Sequence, residues 1–226
     1  GEVGHAPQRL AIDATRARPA HILCDTECML ALSPPALAAG LFAALMQAAE
    51  TLAEPDAPHA NRALAAQAVR MIAGPGGLLG NAGALTEPEL APSRIALFEA
   101  AGMAALARSG RPIGAASALT LALTGLQGVR HGPIAAALLP AWLETHARAD
   151  ALDAALSPLV DKGRAASVAQ ALTARRDAAG LAPTVRELGI ESAAGADARA
   201  DALAGEDAAG DIAVLMRRAG LTETGT

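Results

Sequence analysis

The stretch GVRHGPIAAALLP, residues 128–140, sets one histidine, His131, at the head of an apolar run. If a helix begins there, Ile134, Leu138 and Leu139 fall on one face of it. A histidine in that position can ligate a metal, carry a proton or serve as a helix-entry residue held by backbone. Its role therefore depends on partners elsewhere in the chain. A second candidate cluster is Cys24 and Cys28, the only cysteines, spaced C-x3-C with His21 and Asp25 nearby. A zinc site needs four donors in a closed shell, and this local set is a poor one. The pair reads as buried or semi-exposed thiols in a reducing compartment. No glycine-rich phosphate loop, GxSxG elbow, HExxH pair or internal repeat is present.

The elements that must position His131 are helical. Alanine and leucine dominate, while β-branched and aromatic residues are sparse. Ser33 before Pro34 reads as an N-cap followed by proline in the first turn. Leu37, Leu41, Leu45 and Ala49 continue that helix at four-residue spacing. Further helices are expected over 61–72, from the Thr86/Glu89 capping box to Arg108 with a kink at Pro92, over 113–126, and from His131 onward. Beyond Asp150 the pattern predicts helices over 151–159, 163–179, 184–188, 196–204 and 207–219. Only residues 1–32 look different, with short apolar runs at Leu10–Ile12 and His21–Leu23 that read as an extended arm. The fold class is mainly α: an all-helical domain over 33–226 with a short extended N-terminal arm over 1–32.

Composition narrows the function. The chain has 226 residues, 52% hydrophobic and 18% charged, which suits a packed core. Its net charge of −5 and 1% aromatic content give neither a phosphate-binding footprint nor stacking platforms, so no nucleic-acid partner is expected. The segment between Arg111 and Arg130 carries no charge, yet Ser117, Thr120, Thr124, Gln127 and three glycines interrupt it. It reads as a helix buried on all sides and not as a membrane span. The opening GEVGHAPQRL lacks the apolar stretch of a signal peptide, and a cytoplasmic location is expected.

Several segments, in order, resemble the C-terminal helical half of the iron-containing alcohol dehydrogenases, a family that includes maleylacetate reductases. GEV (1–3) is similar to the end of the family's G-S-E-x-T stretch. PAHILCDTECMLALSPP (19–35) resembles its P-x-x-x-x-x-D-P-x-L-x-x-x-P-P segment, with Asp25 at the aspartate. LFAALMQAAE (41–50) resembles G-M-D-A-L-A-H-A-I-E, sharing Ala44, Leu45, Ala48 and Glu50. GVRHGPIAAALLPAWLETHA (128–147) resembles I-P-H-G-x-x-x-A-x-L-L-P-x-x-L-x-x-N-A, and AAGLAPTVRELGI (178–190) resembles G-L-P-x-x-L-x-E-L-G-V.

In that family an aspartate and three histidines hold a divalent metal that polarises the substrate oxygen during hydride transfer. Carried over by position, the aspartate falls on Ala43, its i+4 histidine on Gln47 and the third ligand on Ser117; a further active-site histidine falls on Leu121. His131 alone keeps the family's residue. The resemblance therefore implies no metal at this position. His131 would act as proton donor or hydrogen-bonding anchor, with Gln47 and Ser117 lining the same cleft. It also implies that this chain alone binds no cofactor, and that NAD(P) is held mostly by a separate nucleotide-binding domain. The expected partners are a second copy or a nucleotide-binding dehydrogenase chain, and a small-molecule substrate. The other reading is a non-catalytic binding or scaffold subunit descended from such an enzyme.

Overall fold

The computed structural model describes residues 21, 23, 25–74, 77–80, 91–127, 129–146, 155, 165–190, 196, 200–201, 204 and 209–221. Seven α-helices run through them: α1 (Pro34–Ala53), α2 (His59–Ala73), α3 (Ala91–Ala107), α4 (Ala115–Gln127), α5 (His131–His146), α6 (Ala165–Ala178) and α7 (Ala209–Arg218). The isolated positions 155, 196, 200, 201 and 204 are helical too. No β-strand occurs among the described residues. The sequence-predicted helices over 61–72, 113–126 and 207–219 match α2, α4 and α7 within two residues at each end. Thr86 and Glu89 lie outside the described residues. Of the expected arm, residues 1–20 also lie outside. Thr26–Ala31, assigned to that arm, forms a 3₁₀ turn instead. The Asp25 carboxylate accepts the Glu27 amide at 2.9 Å and so starts the turn.

α1 is the hub. It begins where expected, at Ser33, but the Ser33 hydroxyl makes no capping bond. Pro34 and Pro35 fill the first helical positions, and neither has an N–H to offer. Leu37, Leu41, Phe42, Leu45, Met46 and Leu52 of α1 are buried, and α2, α3, α4 and α5 all pack on it. α1 is the one helix among the described residues long and apolar enough to cross a membrane, yet 72% of its apolar window is buried inside the protein. Its apolarity is thus used in the core.

The uncharged stretch after Arg111 forms α4. From Ala116 to Thr124 every residue except the partly exposed Leu121 is buried. Its two threonine hydroxyls fold back on their own helix: Thr120 donates to the Ala116 carbonyl and Thr124 to the Thr120 carbonyl, both at 2.7 Å. This satisfies two of the buried hydroxyls that interrupt the stretch. α6 and α7 end on left-handed glycines, Gly180 (φ 69°) and Gly220 (φ 70°). There the Leu181 amide bonds back to the Arg176 carbonyl and the Leu221 amide to that of Met216.

Candidate functional site

Glu50 is the only charged residue of α1, and it is 3% exposed. Its carboxylate accepts the Ser117 backbone amide at 3.0 Å and the Ser117 hydroxyl at 2.6 Å. Ser117 stands in the first turn of α4, where backbone amides have no partner within the helix. Glu50 thus caps α4 from a neighbouring helix. Gly114, just before α4, lies so close that a Cβ there would collide with the Glu50 carboxyl carbon and both its oxygens. Burial raises the Glu50 pKa above the usual carboxylate range; the Ser117 hydrogen bonds and the charge of Arg108 pull less strongly the other way.

The same carboxyl lines a cleft of about 520 Å³ at the end of the bundle where α1 finishes and α4 starts. Arg111 crosses its mouth, with Nε 2.8 Å from one Glu54 oxygen and Nη2 2.8 Å from Asp56. These bonds hold the Asp56 carboxyl below its ordinary pKa and raise that of Arg111. Arg108 takes the second Glu54 oxygen. Trp142 and His146, also in the lining, stack with ring centroids 4.4 Å apart. His146 Nε2 lies 3.4 Å from Asp211 of α7. Four separate elements therefore close one polar space.

The sequence-predicted residues lie on three helices, Gln47 on α1, Ser117 on α4 and His131 on α5. Ser117 is buried beside Glu50. Gln47 is partly buried one turn earlier, its carbonyl accepting the Thr51 hydroxyl at 3.0 Å. His131 is the first residue of α5, as expected, and is partly buried. Its neighbour Gly132 presses on the backbone of Ala39, which a Cβ on Gly132 would meet at 2.8 Å. The α1 contacts made beside His131 and by Ser117 are eleven residues apart, about 16 Å along the helix axis at 1.5 Å per residue. Ala43 and Leu121 are both partly buried and apolar. No three His, Cys, Asp or Glu side chains gather as a metal shell among the described residues. Cys28 is an exposed free thiol, and Cys24 lies outside the described residues. Glu50 was not singled out as a site residue in the sequence; its signal is a lone charge in an apolar helix.

No protein-family profile and no curated protein sequence matches the chain. Solved structures do. Alcohol dehydrogenase from Oenococcus oeni matches at a TM-score of 0.73 with 21% identity, over 86% of this chain and 54% of that one. Maleylacetate reductase from Agrobacterium tumefaciens matches at 0.68 and 22%, over 86% and 55%. The iron-containing alcohol dehydrogenase from Thermotoga maritima matches at 0.58 and 18%, over 87% and 52%. The fold is that of the iron-containing alcohol dehydrogenases. The chain spans about half the length of these dehydrogenases, and an all-helical match of that extent agrees with the C-terminal helical half that the sequence resembles. At this identity the likeness concerns the fold.

Proposed function

We propose that the chain supplies the helical, substrate-side wall of an NAD(P)-dependent oxidoreductase active site. The observation that carries this reading is the fold itself, shared at a TM-score of 0.73 with a dehydrogenase over 54% of its length. The nucleotide-binding share of the work falls to another segment or chain, and NAD(P) is bound there. On this reading the 226-residue chain alone turns over no substrate and binds no cofactor, and it works as a homo-oligomer or with a nucleotide-binding dehydrogenase chain in the cytoplasm.

At the positions where the family holds its metal, the available groups are poor donors. Ala43 has a methyl group, Gln47 an amide, and the Ser117 hydroxyl is committed to Glu50. One imidazole, His131, does not make a shell for iron or zinc, so the metal does not fit here and no step is routed through one. His131 is assigned as proton donor or hydrogen-bonding anchor toward a carbonyl substrate. Gln47 and Ser117 are assigned to the lining of that cleft. The commitment of both Ser117 polar groups to Glu50 also supports the second reading, a non-catalytic binding or scaffold subunit.

The test is nicotinamide absorbance in the presence of an aldehyde panel, with the chain alone and with any nucleotide-binding dehydrogenase chain found encoded beside it. Turnover only in the mixture, reduced in a His131→Ala variant, is expected. Turnover by the isolated chain with added NAD(P) overturns the division of labour. Complex formation without turnover selects the scaffold reading.

A further inference from the structure

We propose that the cleft at the Glu50 end of the bundle binds a small organic cation, a primary ammonium on a short apolar body, between Asp56 and Asp211. The volume of about 520 Å³ falls within the range of small-molecule sites. It lies at the end of α1 away from Ala39, where α5 brings His131, and neither His131, Gln47 nor Ser117 is among its described lining residues.

The charge of the ligand follows from which groups are already committed. Arg111 is the lining guanidinium among the described residues, and Glu54 and Asp56 share it. Arg108, behind it, is held by Glu54. A carboxylate or phosphate entering the cleft would have to displace one of these pairs. Acceptors, by contrast, are to spare. The side chains of Asp56 and Asp211 are 77% and 55% exposed. Asp56 gives one oxygen to Arg111, and Asp211 meets only the longer contact from His146. At the floor the Glu50 oxygens are taken by the Ser117 amide and hydroxyl, so the accepting oxygens are those of Asp56 and Asp211.

The body of the ligand follows from the walls. Pro55, Pro112, Ile113 and the stacked Trp142–His146 pair all belong to the lining. Trp142 is 3% exposed with its ring stacked on His146, so these side chains cover the apolar body of the ligand while the carboxylates hold its ammonium. A bare metal ion would leave these apolar walls uncovered.

Trp142 is the only tryptophan of the chain and lines this cleft, so it reports on binding. The full 226-residue chain is titrated with butylammonium chloride at constant ionic strength, with butan-1-ol, sodium butyrate and sodium chloride in parallel. Trp142 fluorescence and isothermal calorimetry are read on the same solutions. Butylammonium is expected to saturate, and the alcohol, the butyrate and the salt are not. In the D56N/D211N double variant the affinity for butylammonium is expected to fall about tenfold, the order of two partly exposed charge contacts. Failure of butylammonium to saturate in either readout overturns the proposal. So does equal binding of butan-1-ol or butyrate, or an unchanged affinity in a folded D56N/D211N variant. If that variant does not fold, the comparison of the four solutes on the unaltered chain decides the matter.

Discussion

The Glu50 carboxylate and Ser117 are 67 residues apart in sequence, yet Glu50 accepts both the amide and the hydroxyl of Ser117, at 3.0 and 2.6 Å. One pair of contacts caps α4, fixes its start against the end of α1 and holds a carboxyl at the floor of a cleft. Ser117→Ala removes the hydroxyl partner while the amide contact stays. The expected cost is about 1–3 kcal/mol, because a buried acceptor loses a bond without gaining water. Urea denaturation at neutral pH measures it, and an unchanged midpoint would show that the pair contributes nothing net.

Stability should depend on pH through Glu50 in the direction opposite to most carboxylates. Burial raises its folded pKa above the ordinary glutamate value of 4.5, so folding favours the protonated form. The contribution is fully present below that unfolded value and is lost as pH rises through the folded one. Asp56, held low by Arg111, acts with the other sign: its contribution is lost as pH falls. Glu50→Gln removes only the first effect. The stability difference, wild type minus Glu50→Gln, should therefore decline steadily from about pH 4 upward until Glu50 is fully ionised. A difference flat across that window would mean that the carboxyl is no harder to ionise inside the protein than outside.

These two residues show what a sequence discloses and what it withholds. The uncharged run after Arg111 reads as an inner helix because charge is absent over a length that matches a helix, and α4 is that helix. The start of α5 at His131 is legible for a similar local reason, an apolar face beginning after Arg130-His131-Gly132. Glu50 is visible as a charge among apolar neighbours, but nothing local to it points to Ser117. The cleft is less legible still. Glu54, Arg111, His146 and Asp211 sit at the ends of different elements, and no periodicity links them. The 3₁₀ turn at Thr26–Ala31 escaped because its cause is one side-chain bond from Asp25 to Glu27 and not a pattern.

Metal content tests the reading of the family site. Stoichiometric iron or zinc is not expected after purification without chelator, because Ala43 and Gln47 are weak or absent donors and Ser117 is engaged by Glu50. Elemental analysis of wild type and His131→Ala settles it. One equivalent of metal, lost in His131→Ala, would show that donors outside these positions complete a shell.

The closeness of α1 and α5 gives the last prediction, built on two glycines that differ only in their surroundings. A Cβ added at Gly132 would meet the carbonyl carbon and oxygen of Ala39 at 2.8 Å. Both are backbone atoms of a buried helix, so relief requires α5 to move away from α1. Overpacking of this kind costs about 1–3 kcal/mol. Gly40, the next residue along α1 from Ala39, is exposed and has nothing within 4 Å of its added Cβ. Alanine there meets no obstacle and restricts the unfolded chain, so Gly40→Ala should stabilise by about 0.5–1 kcal/mol. Thermal or urea unfolding of the two variants should thus move in opposite directions. The shift in Gly132→Ala should also carry a functional mark, since His131 rides on the same turn: any turnover measured with a nucleotide-binding chain should fall in Gly132→Ala and be unchanged in Gly40→Ala. Equal stability of the two variants would mean that the crossing is looser than the backbone contact at Ala39 requires.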